Sequence, residues 1–516
     1  MAKQSGSSLH VNVNPDVSPT HGTSDSLHYR AKRRCYIPTR LVLVVLLFLA
    51  NVMTYGMRVN LSIALVAMVK ENNTDVHQHY SYCKGLQNDT HRADEAGQFD
   101  WDIGIQSVIL SSFYYGYLFT QIPGSCTSVY FSAKWTLGLS VFFSAILNFL
   151  TPLAANHGYI FLIGTRVLLG LVQGVYFPAV FHLLGLWLPP RERTSSYSFV
   201  AAGTCVGSTV FLFISGVLAS SNIMQGWPSV FYFSGIAGIV WCLMWFPLAY
   251  NSPSSHPWIS ETEKEYIMES LKWNKRAKQR HKVPWSSLLL SIPVWSALIC
   301  QVCSEFGFFL FLAETPTYFS NIHGFNLSQS GFLSGLPWIL QPLMGVGVSL
   351  IAEYIIRAKL ARVVVVRKGL SLTGMIIQCS LFIVTANSNC NTLVAITCFV
   401  TAITFGGLYS PGFYVNRLDI APNSAGVLSG MVNVLTTLGG IAGPLLVALI
   451  VGDEGSVSEW KVVFWIISGL LFVGVVIFVF FGSGQQQSWD KELATSSFVA
   501  DENTAALLAG NDAKDS

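Results

Sequence analysis

Long apolar runs, separated by short polar segments, follow one another from residue 40 to residue 482. A helix needs about 20 mostly apolar residues to cross the ~30 Å hydrocarbon core of a bilayer. Twelve runs reach that length, so the pattern predicts twelve membrane-spanning helices, spans 1–12. They lie near residues 40–68, 102–123, 134–154, 158–187, 195–219, 227–249, 287–315, 329–352, 363–385, 392–413, 424–451 and 460–482.

The basic residues between these runs are concentrated in alternate loops. Some lie just before span 1 and others follow spans 4, 6 and 8, whereas the loops after spans 5, 7 and 9 contain no Lys or Arg. Lys and Arg accumulate on the cytosolic side of a membrane. The alternation therefore predicts that both ends of the chain lie in the cytosol. The residues before span 1 are Arg30, Lys32, Arg33 and Arg34.

The longest polar segment between spans, residues 250–286, divides the twelve spans into two sets of six. The predicted organisation is an N-terminal half over 38–249 and a C-terminal half over 287–483, joined by this cytosolic linker. Within the linker, Ser260 and Glu263 have the spacing of a capping box. They predict a short amphipathic helix.

Three further polar segments complete the predicted organisation. Residues 1–37 and 484–516 lack apolar periodicity and are predicted to be disordered cytosolic tails. The loop at 70–100 lies on the luminal side, where Asn72 and Asn88 each begin a glycosylation sequon.

Composition agrees with a protein that spans a membrane. The 516 residues are 52% hydrophobic and 11% charged, and the mean hydropathy is +0.49. Soluble domains contain about 25% charged residues. The net charge of +3 is too small to indicate a nucleic-acid partner.

The cysteines and other reactive residues do not indicate an enzyme. Cys300 and Cys303 are three residues apart inside a span, where packing is expected because a zinc site needs four ligands. Cys83 and Cys390 fall in loops on the same predicted side, but nothing in the sequence sets their distance, so their pairing stays open. No nucleophile–base set or metal-ligand cluster is recognisable, and neither a metal nor a cofactor is expected.

Span 4 contains an arginine within an apolar stretch, residues 162–178. Leu169 and Gln173 follow Arg166 by three and seven residues, so the three side chains share one helix face. An arginine at membrane depth costs at least ~2.5 kcal/mol unless it faces a partner, a cavity or a ligand. The stretch therefore predicts that Arg166 faces the interior of the bundle.

Short motifs recur at the ends and centres of the spans. They are 58–62 (RVNLS), 112–117 (SFYYGY), 121–123 (QIP), 187–193 (WLPPRER), 227–232 (WPSVFY), 331–337 (GFLSGLP), 412–422 (GFYVNRLDIAP) and 425–426 (AG). Together they resemble one branch of the major facilitator superfamily, solute carrier family seventeen. That branch includes sialin, the vesicular glutamate transporters and the organic anion transporters of the sodium-phosphate and urate type. The resemblance covers residues 38–485 and is greatest to sialin-like members.

The resemblance implies an all-α membrane protein in which spans 1, 2 and 4 line a central path. Guanidinium binds carboxylate bidentately, so arginines and tyrosine hydroxyls facing this path suit a small organic carboxylate. The alternative is that each arginine pairs with a buried acid and only braces the fold. The candidate substrate-binding residues are Arg58, Arg166, Tyr55, Tyr114, Tyr117, Gln121 and Asn433.

Span 4 departs from the family where proton coupling is expected. Most proton-coupled members have Glu or Gln, and then Glu, at the positions of Leu169 and Gln173, neither of which can titrate here. Glu305 in span 7 is the candidate substitute, for coupling or for pairing with one of the arginines, and a structural counter-ion is an equally open role. Gln173 and Glu314 are further coupling candidates, but Glu314 lies nine residues from Glu305 and cannot face the path with it on an unbroken helix.

Two other motifs of the family are altered. The Asn-His-Leu-Asp sequence of span 10, a gate motif, reads Asn416-Arg-Leu-Asp419 here, and Arg417 is expected to pair with Asp419 or with loop acids. The loop after span 2 keeps only Gly124 and Lys134 of its usual pattern. The gate is therefore expected to be held differently.

These observations predict a secondary transporter of small organic anions that works by alternating access and is driven by voltage or an ion gradient. Three alternatives stay open: a proton-coupled, sialin-like exporter that uses Glu305, a sodium-phosphate cotransporter, and a transport-inactive sensor or scaffold. The expected partners are the anion, H⁺ or Na⁺ as a coupling ion, and the lipid bilayer. A lysosomal or vesicular membrane and the plasma membrane both fit.

Overall fold

The computed structural model describes residues 38–70, 97–221, 223–276, 285–389, 391–421, 424–451 and 456–491, and its long elements are helices. The N-terminal half contains Thr39–Met68 (span 1), Ile103–Thr127 (span 2), Ala133–His157 (span 3), Tyr159–Trp187 (span 4, interrupted at Val175), Pro190–Ala219 (span 5) and Pro228–Leu248 (span 6). The C-terminal half contains Ile292–His323 (span 7), Leu327–Arg357 (span 8), Val363–Asn387 (span 9), Thr392–Arg417 (span 10), Ala425–Ile450 (span 11) and Val457–Phe481 (span 12).

The predicted twelve-helix architecture is confirmed. Eleven of these helices, within the described residues, are long and apolar enough to cross a membrane, and Ile103–Thr127 is the twelfth. The shorter elements are Ser128–Ser132, Ile223–Gln225, Pro253–Ser255, the linker helix Glu261–Arg276 and Trp285–Leu289. Two ends of the bundle are distinguished below: the linker side, where Thr39 and the linker lie, and the loop-one side, where Met68 lies.

Span 7 is longer than the apolar pattern indicates. The prediction placed it at 287–315, but the helix runs over Ile292–His323 and ends at Gly324, which is left-handed with φ 67°. Its last turns contain Tyr318, Phe319 and His323, which are buried in the helix bundle. Hydropathy underestimates this helix because its final polar residues are covered by protein rather than by lipid.

The two halves approach each other closely on the loop-one side. The Oγ1 of Thr209 in span 5 donates to the carbonyl oxygen of Gly335 in span 8 at 2.9 Å. A Cβ at Gly331 would lie 2.5 Å from the carbonyl oxygen of Leu212 and 3.1 Å from the Cα of Gly216. Small residues permit such backbone approach between membrane helices. Spans 5 and 8 therefore pack closely and join the two halves on the loop-one side.

The linker helix is attached to the N-terminal half by charged groups. The Ser260 hydroxyl accepts from the Glu263 amide at 3.2 Å, which is one of the two hydrogen bonds of the predicted capping box. The Glu263 carboxylate also accepts from the backbone amides of Thr39 and Arg40 at 3.0 and 3.1 Å, so it caps span 1 from more than 220 residues away. Arg40 in turn pairs with Glu192 at the start of span 5, at 3.0 Å.

The beginning of the predicted C-terminal tail is packed against the bundle. Residues 484–491 were expected to be disordered, but the Gln487 amide donates to the Ile420 carbonyl oxygen at 2.9 Å and Asp490 is fully buried. The Ser424 hydroxyl donates to Asp490 Oδ1 at 3.0 Å. The expectation is therefore wrong for these residues, because their polar groups find partners at the linker-side ends of spans 10 and 11. The rest of the predicted tail, and the predicted tail 1–37, lie outside the described residues.

The close approach of spans 5 and 8 can be tested by adding a side chain. We expect Gly331→Val to destabilise the protein in detergent by about 1–3 kcal/mol, because the new methyl groups overlap backbone atoms of span 5. Gly347→Val, on the same helix, is the matched control, because no atom apart from the nearby backbone of its own helix lies within 4 Å of its Cβ position. Equal melting temperatures for the two variants would contradict the close approach.

Candidate functional site

Arg58 lies in the interior of the bundle within a cage of aromatic rings. Its side chain belongs to span 1, and the residue is 8% exposed. The guanidinium carbon is 4.6 Å from two ring centres and 5.3 Å from three others. Such contacts are worth ~2 kcal/mol or more when desolvated, so they replace part of the lost hydration. The rings belong to Phe113, Tyr114, Tyr55, Tyr117 and Phe309.

Arg166 is buried beside Arg58 and is only partly hydrogen-bonded. Its Nη2 donates to the carbonyl oxygen of Arg58 at 2.9 Å, and the residue is 2% exposed. Its Nε and Nη1 have no hydrogen-bond partner, nor does Nε of Arg58. Three buried guanidinium nitrogens of these two arginines therefore have no partner, although buried donors are nearly always paired.

The two neighbours of Arg166 on its helix face are packed rather than exposed. Leu169 is 1% exposed and contacts Phe113 and Tyr114 in a small apolar cluster. Gln173 is 2% exposed and donates to the Thr54 carbonyl oxygen at 3.4 Å. The face predicted for span 4 therefore points into the bundle. In the described structure, Gln173 links span 4 to span 1.

Neither arginine has an acidic partner in the described part of the chain. The ion pairs found there involve Arg40, Lys264, Arg357 and Arg367 as the cations. The alternative in which each arginine braces the fold against a buried acid therefore has no support in these residues. The site has an excess of positive charge.

Glu305 of span 7 lies near Arg58 and Arg417 but forms an ion pair with neither. It is half-buried, and its Oε1 accepts from the Tyr414 hydroxyl at 2.9 Å. Arg58 and Arg417 both act on it electrostatically. Glu314, on the same unbroken helix, is 4% exposed, and its Oε1 has no hydrogen-bond partner. The two carboxylates thus occupy different environments, as their spacing predicts.

Spans 2 and 11 meet across the path beside this cage. The Nε2 of Gln121 donates to Thr437 Oγ1 at 2.8 Å, which joins the two halves. Tyr114 packs against Gly440, where the ring leaves no room for a Cβ. Asn433 is exposed one turn before Thr437 on the same helix face. These predicted residues are therefore brought together, with Asn433 nearer the linker side.

Span 10 is interrupted beside the site. Its α-helix Thr392–Phe405 is followed by a 3₁₀ turn, Gly406–Tyr409, and a π-helical turn, Ser410–Tyr414, before helix resumes at Val415–Ile420. Gly412 departs from helical geometry, and a Cβ there would lie 2.5 Å from the Ser371 hydroxyl. Discontinuous helices commonly form the midplane sites of secondary transporters.

The expected pairing of Arg417 with Asp419 is wrong. Asp419 instead binds Arg367 of span 9, with Nε–Oδ2 at 2.8 Å and Nη2–Oδ1 at 3.5 Å. Arg367 also donates to the Pro411 carbonyl oxygen at 2.7 Å, so it holds the interrupted segment from both ends. Asp419 therefore forms a bidentate contact with Arg367 of the adjacent helix instead of an ion pair with Arg417 of its own helix.

The other residues of the gate motif have separate roles. The Asn416 side chain is fully buried and donates to the Ser483 carbonyl oxygen at 2.8 Å, so it secures the start of the packed C-terminal segment. Arg417 lines a small cavity beside Gln301 and has no ion-pair partner among the described residues. The motif therefore holds spans 9, 10 and the C-terminal segment together.

Several residues of the site were not identified from the sequence. Phe309 follows Glu305 by four residues and so shares its helix face, which could have indicated it. Phe113 lies within the 112–117 motif. No local sequence pattern indicated that Thr437 or Arg367 would contact the site. The sequons at Asn72 and Asn88, and the Cys83–Cys390 pairing, fall outside the described residues.

Comparisons with known proteins agree with this architecture. The model of the Major Facilitator Superfamily matches residues 47–444. Sialin of Ovis aries is 35% identical over 495 residues, which cover 92% of this chain and 97% of the relative. Sialin of Homo sapiens is 36% identical over 460 residues, which cover 87% of this chain and 90% of the relative. Vesicular glutamate transporter 3 of Danio rerio is 33% identical over 456 residues, which cover 88% of this chain and 74% of the relative.

Solved structures show the same fold at low identity. A bacterial homolog of the human lysosomal transporter Spinster, inward-facing and unoccupied, has a TM-score of 0.65 and 13% identity, over 90% of this chain and 99% of that one. A D-xylose–proton symporter has a TM-score of 0.62 and 12% identity, over 86% and 98%. At these identities the likeness concerns the fold alone.

The Arg367–Asp419 clamp can be tested by removing one partner. The pair is partly buried, at 12% and 21% side-chain exposure, so Asp419→Asn should lower the stability in detergent by about 1–3 kcal/mol, because it leaves the guanidinium uncompensated. The control is Glu353→Gln, whose pair with Arg357 is exposed on both sides and should cost less than ~1 kcal/mol. If the two variants melt at the same temperature, the clamp does not hold the interrupted span.

Proposed function

This chain belongs to the major facilitator superfamily, in the family of sialin and the vesicular glutamate transporters, and from that premise we propose that it transports small organic carboxylates by alternating access. The path lies between the two six-helix halves. The linker side faces the cytosol and the loop-one side faces the lumen of a lysosome or vesicle, or the outside of the cell. The basic loops and the kinship with vesicular transporters support this placement.

The observation that supports the proposal is the unbalanced positive charge at Arg58 and Arg166. Each arginine at membrane depth costs at least ~2.5 kcal/mol without a partner, and the described residues provide no acid for either. Three of their guanidinium nitrogens have no hydrogen-bond partner in the described structure. A carboxylate supplies both the charge and the acceptor oxygens, in the planar geometry that guanidinium prefers.

The contacts between the halves support alternating access. Two hydrogen bonds each join a residue of one half to a residue of the other. The Gln121 side chain donates to the Thr437 hydroxyl, and the Thr209 hydroxyl donates to the backbone carbonyl oxygen of Gly335. Both are formed in the described structure, and rocking of one half against the other would break one of them while the other is kept. Neither contact involves a buried ion pair, so each can be exchanged at modest cost.

For the driving force, we propose the membrane potential or an ion gradient. The face of Arg166 contains Leu169 and Gln173, which cannot bind and release a proton. Glu305 is the second candidate for coupling, and one observation supports it: it is half-buried and hydrogen-bonded to Tyr414 of the interrupted span. Binding of a proton there would weaken its attraction to Arg58.

Replacement of Arg58 tests the substrate site. In proteoliposomes with a panel of radiolabelled carboxylates, we expect Arg58→Gln to lower uptake by about 10- to 100-fold, which corresponds to the ~1.5–3 kcal/mol of charged hydrogen bonds. Arg58→Lys should recover only part of it, because ammonium cannot bind bidentately. The matched control is Arg357→Gln, an exposed arginine on the linker side, which should transport normally.

Two outcomes would count against the proposal. If both Arg58 variants transport at the wild-type rate, the unpaired guanidinium does not bind substrate. If the wild-type protein in sealed vesicles shows no saturable uptake of any anion, the chain acts as a sensor or scaffold rather than a transporter.

Imposing voltage and a pH gradient separately tests the driving force. With voltage alone, we expect uptake by wild type and by Glu305→Gln to be equal, because no proton is required. With a pH gradient alone, neither protein should concentrate the anion. Accumulation driven by the pH gradient in wild type, lost in Glu305→Gln, would instead establish proton coupling through this carboxylate.

A further inference from the structure

Residues 482–491, which follow span 12, cross the linker-side ends of spans 9, 10 and 11, and we call this segment the C-terminal strap. Near its start, a Cβ on Gly484 would lie 2.7 Å from the Cβ of Val364 in span 9. Near its end, the Asp490 carboxylate accepts at 3.0 Å from the hydroxyl of Ser424, the N-cap residue of span 11. One segment therefore joins span 9 to span 11 on the linker side.

Between its two ends the strap binds the short helix Val415–Ile420, which is the part of span 10 that follows the interruption. The Asn416 side chain donates to the Ser483 carbonyl oxygen at 2.8 Å, and the Gln487 amide donates to the Ile420 carbonyl oxygen at 2.9 Å. A helix of six residues has fewer than two turns and depends on tertiary contacts for its stability. The strap and the arginine clamp from span 9 provide these contacts.

Trp489 provides the apolar contact of the strap. It packs against a linker-side cluster to which span 7 contributes Leu298, span 10 contributes Ile420 and span 11 contributes Leu428. The same three residues line a small cavity, of about 10 Å³, together with Arg417 of the short helix. Trp489 therefore supports the apolar packing that surrounds Arg417.

Arg417 relates the strap to the interface between the two halves. It acts electrostatically on Glu305 of span 7 and on Tyr197 of span 5. Tyr197 lies near the linker-side start of span 5, in the N-terminal half. The short helix that the strap holds therefore lies where the C-terminal half approaches the N-terminal half. Because the backbone of span 10 is interrupted before this helix, the helix can change position without displacement of the whole span.

Two polar atoms at the strap have no hydrogen-bond partner among the residues that the structure describes. Nε1 of Trp489 is a buried donor, and Oδ1 of Asn416 is a buried acceptor. Buried polar groups are nearly always paired, and an unpaired one loses its hydration without compensation. These two unpaired atoms make the docked strap less stable than a fully paired contact of the same size. Release of the strap to water therefore costs less free energy.

We propose that the C-terminal strap is a releasable lock on the linker side of the path. While it is docked, it fixes the short helix Val415–Ile420 and the start of span 11. It leaves this position before the linker side opens, and the short helix is then held only by the clamp from span 9. The inference rests on the proposed alternating access, and it makes release of the strap a step of each transport cycle.

A reversible cross-link tests whether the strap must move. In the full-length double variant Ser424→Cys/Asp490→Cys, oxidation should lock the strap and dithiothreitol should release it. Hydrogen exchange of the Val415–Ile420 amides is measured by mass spectrometry, and uptake is measured with whichever carboxylate of the Arg58 panel is transported fastest. We expect locking to slow both exchange and uptake at least ~10-fold, because both require the strap to open. Dithiothreitol should reverse both effects.

The controls are Ser424→Cys and Asp490→Cys alone, treated in the same way, because neither can form this bond. Exchange that is unchanged by locking would overturn the inference, because the strap would then not be released. Slower exchange with undiminished uptake would also overturn it, because transport would then not need the release. If wild type transports no carboxylate, the proposed function fails, and the exchange comparison still shows whether the strap locks the short helix.

A variant that loosens the strap provides the same test if the double-cysteine protein does not fold. Trp489→Ala removes the apolar contact, so exchange of the Val415–Ile420 amides should become at least ~10-fold faster. The matched control is Phe480→Ala, an aromatic residue just before the strap that is 75% exposed and should leave exchange at the wild-type rate. Equal exchange in wild type and in both variants would mean that the strap does not hold the short helix.

Discussion

The guanidinium groups of Arg58 and Arg166 lie where water is largely excluded, and no acid among the described residues forms an ion pair with them. This constraint determines much of their surroundings. Five aromatic rings face Arg58, and the carbonyl oxygen of Arg58 accepts from Arg166. These contacts reduce the cost of burial without neutralising the charge. The guanidinium nitrogens that remain without a partner are the reason for which we propose this place as the carboxylate site.

The C-terminal half faces these arginines with polar groups, and none of its described residues forms an ion pair with them. Glu305 lies near Arg58 but is held by Tyr414, and Tyr414 belongs to the interrupted part of span 10. The same interruption borders a cavity that Gln341 and Gln378 line. Arg367 and Asp419 hold the broken segment in place. One half thus provides positive charge and the other provides a polar recess, an arrangement that suits the alternating access proposed above.

Local patterns predicted the spans well, because a bilayer imposes a minimum apolar length on every crossing helix. Span 1 was expected at 40–68 and forms Thr39–Met68. The prediction was wrong where polar residues are covered by protein instead of facing water. The last turns of span 7 and residues 484–491 are both polar in sequence, yet Tyr318 and Asp490 are buried. Hydropathy gives the average preference of a residue type for water or for an apolar environment. It contains no information on whether another helix provides a hydrogen-bond partner.

The sequence by itself determined the twelve spans, their grouping into two halves, and the presence of arginines at membrane depth, because each depends on neighbouring residues and on the thickness of the bilayer. The tertiary structure decided which partners those residues have. Asp419 binds Arg367, 52 residues away, rather than the adjacent Arg417. Arg58 contacts rings from spans 2 and 7 and forms no ion pair within the described residues. Such choices depend on which helix faces come together, and that arrangement follows from the packing of the whole bundle.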